Sequence, residues 1–153
     1  MVDFFERIYR QYRWMPMRGA LRIDFDSARA LAQELNMRTD TSQLIQLASR
    51  VAKNSMVSGS KFLHFYDPAR FPITDDWLQR LSGKPPESSY RLDYYRTYKE
   101  GVDLVDDEHA QRACEWALQA FGYPVHRTRA IEARAFYLVK FRAGSAARQC
   151  SRA

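Results

Sequence analysis

Helical periodicity is the feature that most restricts the folds open to this chain. Apolar residues recur three and four positions apart along most of its length, and residues at that spacing share one face of an α-helix. The broadest apolar faces lie in residues 28–35 and 44–51. No segment alternates apolar and polar residues as a half-buried strand does. The sequence therefore predicts an all-α fold, a single globular bundle of about seven or eight short helices.

Glycine, proline and small polar residues divide this pattern into helices. The expected interruptions lie near residue 54 and at Ser58-Gly59-Ser60, Pro68, Gly83, Gly101 and Gly122. The last predicted helix runs to about Arg142, and residues 144–153 are polar and show no apolar pattern. We therefore assign residues 1–143 to one helical domain and expect residues 144–153 to form a flexible tail.

Composition fits a cytoplasmic protein with a substantial core. Hydrophobic residues make up 46% of the 153 residues and aromatic residues 14%, which is enough apolar material to exclude wholesale disorder. The sequence contains no run of 18 apolar residues, so no transmembrane helix and no membrane partner are expected. The first 15 residues carry interleaved charges, unlike a signal peptide.

No metal or cofactor site is predicted. The two cysteines, Cys114 and Cys150, have no metal-ligand spacing to another Cys or His, so both are expected to be free thiols. Residues 103–109 hold four carboxylates and a histidine, but acidic residues are also favoured in the first turn of a helix. His64 lies among core-like residues and is expected to be buried and hydrogen-bonded.

Positive charge is concentrated near the C-terminus. The chain carries a net charge of +6, and the segment from Arg127 to Arg152 contains seven basic residues and one acid, Glu132. Such a segment can be the electrostatic footprint of a nucleic-acid-binding protein. A solvated helix face followed by a loose tail would have the same composition. Both interpretations stay open at the level of sequence.

Residues 57–81 carry the most specific pattern in the chain. Gly59 is followed by Lys61 two residues later, and Asp75 comes fourteen residues after the lysine, just past Phe-Pro-Ile. A break at Gly59 would form a helix–turn–helix corner at residues 44–66, with the glycine free to adopt a positive φ. The backbone N–H groups that begin the second helix could then face a phosphate. Asp75 follows an extended segment and could equally be an ordinary N-cap.

This stretch resembles the helix-hairpin-helix DNA glycosylases. That family has a hairpin of the form Gly-Val/Ile-Gly-x-Lys, and Gly59 and Lys61 match its second glycine and its lysine, while Val57 replaces the first glycine. A later family segment reads Pro-hydrophobic-x-Asp-x-aromatic/His-hydrophobic-x-Arg-hydrophobic. The matching residues here are Pro72, Ile73, Asp75, Trp77, Leu78, Arg80 and Leu81. The four-cysteine iron–sulfur motif of some members does not follow.

The resemblance implies a DNA-binding protein that acts on a nucleotide flipped out of the duplex. It implies that the Lys61 amine attacks the sugar C1′ and that the Asp75 carboxylate stabilises the developing positive charge. The pair should then open onto one concave pocket. Double-stranded DNA is the expected partner, and its phosphates are expected to contact Gly59, Ser60, Arg80, Arg127, Arg129 and Arg134.

A second hypothesis is a non-catalytic helical module that binds another protein. Tyr90, Tyr94 and Tyr98 recur every four residues with Arg91, Arg96 and Lys99 nearby. These aromatic residues, or Trp14, could form the contact surface. Interleaved basic and aromatic residues can also stack on a nucleic-acid strand. A tyrosine stripe at helical spacing is, however, also typical of a half-buried core face with hydroxyls at its rim.

Overall fold

A computed structural model of the chain describes residues 25–37, 40–51, 55–81 and 92–150, without the side chains of residues 25, 36, 79–81 and 142–150. These ranges contain no strand, and the all-α prediction is confirmed. They form seven α-helices, α1 (Phe25–Asn36), α2 (Thr41–Val51), α3 (Met56–Tyr66), α4 (Asp76–Leu81), α5 (Leu92–Asp103), α6 (Asp107–Phe121) and α7 (Arg127–Cys150).

Helix α6 has the cap signals that its sequence predicts. The Asp106 carboxylate accepts a hydrogen bond from the backbone N–H of His109 at 2.9 Å and so satisfies one of the free donors of the first turn. At the other end Gly122 takes a φ of 78°, the left-handed conformation that glycine adopts at little cost. Asp106, Asp107 and Glu108 of the predicted acidic run therefore begin α6, where the helix dipole favours acidic residues, whereas Asp103 is the last residue of α5.

Helix α3 corrects the sequence analysis. The predicted break at Ser58-Gly59-Ser60 is wrong, because α3 is continuous from Met56 and is capped by Ser55, which accepts from Ser58 N–H at 3.2 Å. Gly59 therefore does not take the positive φ of a turn. A Cβ at this position would lie 2.7 Å from the backbone nitrogen of Ser49 on α2. The glycine serves the close packing of two helices, and the predicted corner was placed there because a small-residue cluster was interpreted as a turn.

Two other helices extend further toward the C-terminus than predicted. Helix α5 includes Gly101 and runs to Asp103, and α7 includes Gly144 and runs to Cys150. A single glycine costs a helix about 1 kcal/mol relative to alanine, and the Ala, Arg and Gln that follow Gly144 are good helix formers. The predicted boundary between residues 143 and 144 therefore falls inside a helix.

The buried apolar side chains form two clusters. The larger lies among α1, α2, α3, the segment after α3 and α5, and comprises Ala28, Leu31, Leu35, Leu44, Ile45, Ala48, Val51, Met56, Phe62, Leu63, Phe71 and Tyr95. The smaller lies between α6 and α7 and is built on Ala113, Ala117 and Ala130. Helix α7 also packs against α4 and α5. It thereby joins the two clusters and brings residues near position 130 close to residues near position 73.

Candidate active site

The extended segment at residues 71–74 is buried, and the side chains around it bind its carbonyl groups. Three donors reach three successive carbonyl oxygens: His64 Nδ1 to Phe71 at 2.7 Å, Tyr95 Oη to Pro72 at 3.0 Å and Tyr98 Oη to Ile73 at 2.9 Å. Since a carbonyl only accepts, His64 carries its proton on Nδ1. The prediction of a buried, hydrogen-bonded His64 is confirmed, and burial lowers its pKa to about 4.

The amide groups of the same segment are satisfied from two other helices. Ile73 N–H donates to Glu132 Oε2 on α7 at 3.2 Å, and Thr74 N–H donates to Ser60 Oγ on α3 at 3.1 Å. The Ser60 hydroxyl in turn donates to the Val57 carbonyl. Buried backbone groups that lack strand partners need such side-chain partners. The segment is thus fixed in one path, which ends at Asp75.

Tyr94 and Tyr98 of the predicted tyrosine stripe, together with the neighbouring Tyr95, are part of the core. Tyr94 and Tyr95 are buried, Tyr98 is half-buried, and burial raises the pKa of all three hydroxyls. The core interpretation therefore applies to these three residues, which do not form an exposed stacking surface. Tyr90, Arg91 and Trp14 lie outside the described residues.

Asp75 caps α4 and also faces a cavity. Its Oδ1 accepts from the backbone N–H groups of Trp77 and Leu78, both at 2.9 Å, so the predicted N-cap is confirmed. The same half-buried side chain lines a cavity of about 540 Å³, a size within the range of small-molecule sites. Capping and a functional role are therefore compatible for this residue.

Lys61 opens onto the same cavity. The other residues of its wall come from the 71–74 segment, α6 and α7, namely Ile73, Trp116, Phe121, Arg129, Glu132, Ala133, Phe136 and Tyr137. Lys61 is half-buried on α3, and this burial lowers the pKa of its ammonium group, while Asp75 and Glu132 oppose the shift and Arg129 adds to it. A lysine with a lowered pKa holds a larger fraction of the nucleophilic free amine at neutral pH.

Glu132 is the functional candidate that the sequence analysis missed. Only 4% of it is exposed, and its Oε1 accepts a hydrogen bond from Arg129 while Oε2 accepts from Ile73 N–H. Burial raises the pKa of this carboxyl group to about 7, although Arg129 and the Ile73 amide lower it. The available signal was its isolation, since it is the one acid among seven basic residues in the C-terminal segment.

Aromatic rings form one wall of the cavity. The Trp116 ring lies 5.9 Å from that of Phe121 and 5.2 Å from that of Tyr137, measured between centroids. Tyr137 also lies 4.2 Å from Phe141, whose side chain is exposed. The rings therefore continue from the cavity to the surface. The sequence predicts helices in both regions but does not indicate that their aromatic residues converge.

The predicted DNA contacts fall into different environments. Gly59 and Ser60 are buried, and both have packing roles in α3. Arg127 donates to Asp107 at 2.7 Å and to the Val105 carbonyl, which connects α7 to the start of α6. Arg129 lines the cavity, and Arg134 is half-buried on the same helix. The side chain of Arg80 lies outside the described residues.

The ranges described here contain no group of three or more His, Cys, Asp and Glu side chains placed to hold a metal ion. Cys114 is a free thiol, and the side chain of Cys150 is not among those described. None of the helices described above combines the length and hydrophobicity needed to cross a membrane. Comparison with protein-family models, curated proteins and solved structures finds no match to this chain.

Proposed function

We propose that this protein binds double-stranded DNA and acts on a flipped nucleotide as a DNA N-glycosylase with abasic-site lyase activity. One observation carries the proposal. Lys61 and Asp75, fourteen residues apart on different elements, line a single cavity together with four aromatic rings. An amine nucleophile, a fixed carboxylate and apolar rings able to stack on a base are the groups that this reaction requires.

Lys61 is the nucleophile in this proposal. Its neutral amine attacks the sugar C1′, the bond from C1′ to the base breaks, and the electron pair leaves with the base, which takes up the proton that the attacking nitrogen releases. The Asp75 carboxylate faces the positive charge that develops on the sugar, and electrostatic stabilisation of this kind is a major source of catalysis. Because Asp75 is fixed by two backbone hydrogen bonds, it needs no reorganisation as the charge forms.

Base and phosphate are bound by different parts of α7. Phe136 and Tyr137, together with Trp116 and Phe121 of α6, offer apolar faces to an extruded base. We assign the phosphate contacts next to the flipped nucleotide to Arg129, which lines the cavity, and to Arg134, five residues further along the helix. The exposed Phe141 extends the aromatic surface beyond the cavity.

The alternative, a non-catalytic protein-binding module, has less support. Its proposed surface included Tyr94 and Tyr98, whose side chains pack internally and, for Tyr98, bind the Ile73 carbonyl. The exposed aromatic residues Tyr137 and Phe141 adjoin the cavity that contains Lys61 and Asp75. A site for a nucleic-acid substrate explains that continuity, whereas a general protein-binding surface does not require it.

Borohydride trapping tests the proposal directly. An abasic-site duplex oligonucleotide incubated with the protein and sodium borohydride should give a covalent complex through reduction of the lysine imine. Lys61→Ala should abolish the complex. Lys99→Ala is the matched control, since Lys99 lies on α5, pairs with Asp103 and does not line the cavity; it should trap normally. Absence of a complex with the wild-type protein, or an unchanged complex with Lys61→Ala, would contradict the proposal.

A further inference from the structure

Glu132 shares the cavity with the lysine but has no part in the two-residue scheme above. We propose that Glu132 is the acid–base group of the site, which removes a proton from the Lys61 ammonium group and later returns it to the departing water during imine formation. This inference rests on the proposed function and adds a third catalytic residue to it. It rests on two observations: Glu132 lines the same cavity as Lys61, and the two carboxylates of that cavity differ in their hydrogen bonds.

The two carboxylates of the cavity have different environments. Asp75 Oδ1 accepts two backbone hydrogen bonds and fixes the start of α4, so protonation of Asp75 would weaken a cap. Each oxygen of Glu132 accepts one hydrogen bond from the protein, from Arg129 and from Ile73 N–H. Since a carboxylate oxygen can accept two, Glu132 retains the capacity to take a proton without loss of either contact. Two carboxyl groups held in different environments commonly divide acid–base and electrostatic roles.

The charged and titratable groups around Glu132 are consistent with this role. Arg129 from its own helix, Lys61 from α3, Asp75 from the segment before α4, and Tyr95 and Tyr98 from α5 all interact with it electrostatically. The net effect is dominated by burial, which raises the Glu132 pKa to about 7. A group that titrates near the working pH is suited to both accepting and donating a proton.

The protons balance when Lys61 forms an imine with the aldehyde of an abasic site, which is the co-reactant. The Glu132 carboxylate takes one proton from the Lys61 ammonium, which yields the free amine and a neutral carboxylic acid. The amine nitrogen bonds to C1′ of the aldehyde, and a proton passes from nitrogen to oxygen to give the carbinolamine. The C1′–OH bond then breaks, the hydroxyl leaves as water with the proton from Glu132, and a protonated imine and the Glu132 carboxylate remain.

The substitution Glu132→Gln separates proton transfer from simple electrostatics. Glutamine keeps the shape and can accept from Ile73 N–H, but it cannot take a proton. If Glu132 is only a charged neighbour, its removal lowers the Lys61 pKa further, because Glu132 raises that pKa. Trapping at pH 7 would then be as fast or faster. If Glu132 is the acid–base group, trapping at pH 7 should slow by about 100-fold, a typical effect of losing such a group.

The experiment measures the rate of borohydride trapping on an abasic-site oligonucleotide from pH 5 to 9. We expect the wild-type rate to rise with pH through an inflection near 7, and Glu132→Gln to lose both that inflection and the rate. Glu115→Gln, the same change at an exposed site on α6, is the control and should keep the wild-type profile. Equal or faster trapping by Glu132→Gln at pH 7 overturns the inference.

Two further outcomes distinguish a failure of the proposed function from a failure of the inference about Glu132. If the wild-type protein forms no trapped complex, the proposed function fails and the role of Glu132 fails with it. If wild type traps, Lys61→Ala does not, and Glu132→Gln traps normally, only the inference about Glu132 is overturned. Circular dichroism shows whether Glu132→Gln folds. If it does not fold, ¹³C NMR titration of the Glu132 carboxyl carbon in the wild-type protein tests the acid–base role instead. An inflection near pH 7 supports the role, and one below pH 5 excludes it.

Discussion

Two buried titratable residues hold neighbouring backbone groups of the segment that ends at Asp75. His64 donates to the Phe71 carbonyl, and Glu132 accepts from Ile73 N–H. Burial disfavours the charged form of both, which lowers the pKa of His64 to about 4 and raises that of Glu132 to about 7. The same desolvation therefore gives the two residues opposite effects on how stability depends on pH.

Whether stability rises or falls with pH depends on which state, folded or unfolded, binds more protons. Glu132 titrates near 4.5 when unfolded and near 7 when folded, so the folded state binds the extra proton and stability is lost as pH rises between these values. His64 titrates near 6.5 unfolded and near 4 folded, so its contribution is present above 6.5 and is lost as pH falls to 4. In the wild-type protein the two effects oppose each other between about pH 4.5 and 6.5.

The first prediction is that Glu132→Gln removes the Glu132 contribution to the pH dependence of stability and leaves that of His64 unopposed. The quantity to compare is the free energy of unfolding of the variant minus that of the wild type. This difference should increase by roughly 3 kcal/mol between pH 4.5 and 7, since one pKa unit corresponds to about 1.4 kcal/mol. Urea denaturation at several pH values measures this difference. For Glu115→Gln, which changes an exposed carboxylate, the difference from wild type should stay nearly constant. A constant difference for Glu132→Gln as well would show that its carboxyl group does not titrate as described.

At the scale of elements, the packing of α3 on α2 determines where the site residues lie. Gly59 allows the two backbones to approach, and Lys61, two residues later, is thereby placed at the cavity while Ser60 binds the segment before Asp75. Whether a glycine ends a helix or packs inside one cannot be told from its neighbours in sequence. The Ser-Gly-Ser cluster resembles a turn locally, yet the hydrogen-bonded helix and the contact with α2 override that preference.

The second prediction compares two helical glycines. A Cβ at position 59 would lie 2.7–2.9 Å from backbone atoms of Ala48 and Ser49, which cannot move aside as a flexible side chain could. Gly59→Ala should therefore destabilise the protein by about 1–3 kcal/mol, a typical cost of overpacking, despite the better helix propensity of alanine. Gly101→Ala meets no atom within 4 Å and should stabilise by about 0.5–1 kcal/mol. Thermal or urea unfolding measures both, and similar effects at the two positions would contradict the packing role.

At the scale of the whole molecule, the cavity lies between elements that contribute to the two apolar clusters. Lys61 lies on α3, and Ile73 and Asp75 lie in the segment after it, while the aromatic wall, Arg129 and Glu132 come from α6 and α7. Sites between packed units are common places for ligands. Arg129 of α7 adds a positive charge to the wall of this cavity, and Arg134 lies further along the same helix.

The third prediction concerns DNA affinity. If α7 binds phosphates, the affinity for a DNA duplex should fall steeply as salt increases, with a slope of about −0.9 in log affinity against log salt for each phosphate contact. Arg134→Ala should weaken binding and reduce that slope by about 1. Arg96→Ala is the control, because Arg96 is exposed on α5 and pairs with Glu100. Fluorescence anisotropy at several salt concentrations gives the slopes, and no duplex binding at low salt would contradict the DNA-binding proposal.

Sequence alone determined those features that depend on near neighbours. The helical class, the cap at Asp75, the helix end at Gly122 and the buried His64 all follow from patterns within a few residues, because periodicity, capping and turn preferences act over one or two turns. The pairing of Lys61 with Asp75 came from resemblance to a family, and their shared cavity is a tertiary observation.

Tertiary structure alone decided which distant groups meet. The bond from Ile73 N–H to Glu132 joins residues 59 positions apart, and that from Tyr98 to the Ile73 carbonyl joins residues 25 apart. A buried backbone group needs a partner, but its sequence neighbourhood does not say which distant side chain will supply it. For the same reason the roles of Glu132 and the aromatic wall, and the packing role of Gly59, became visible only once the helices were assembled.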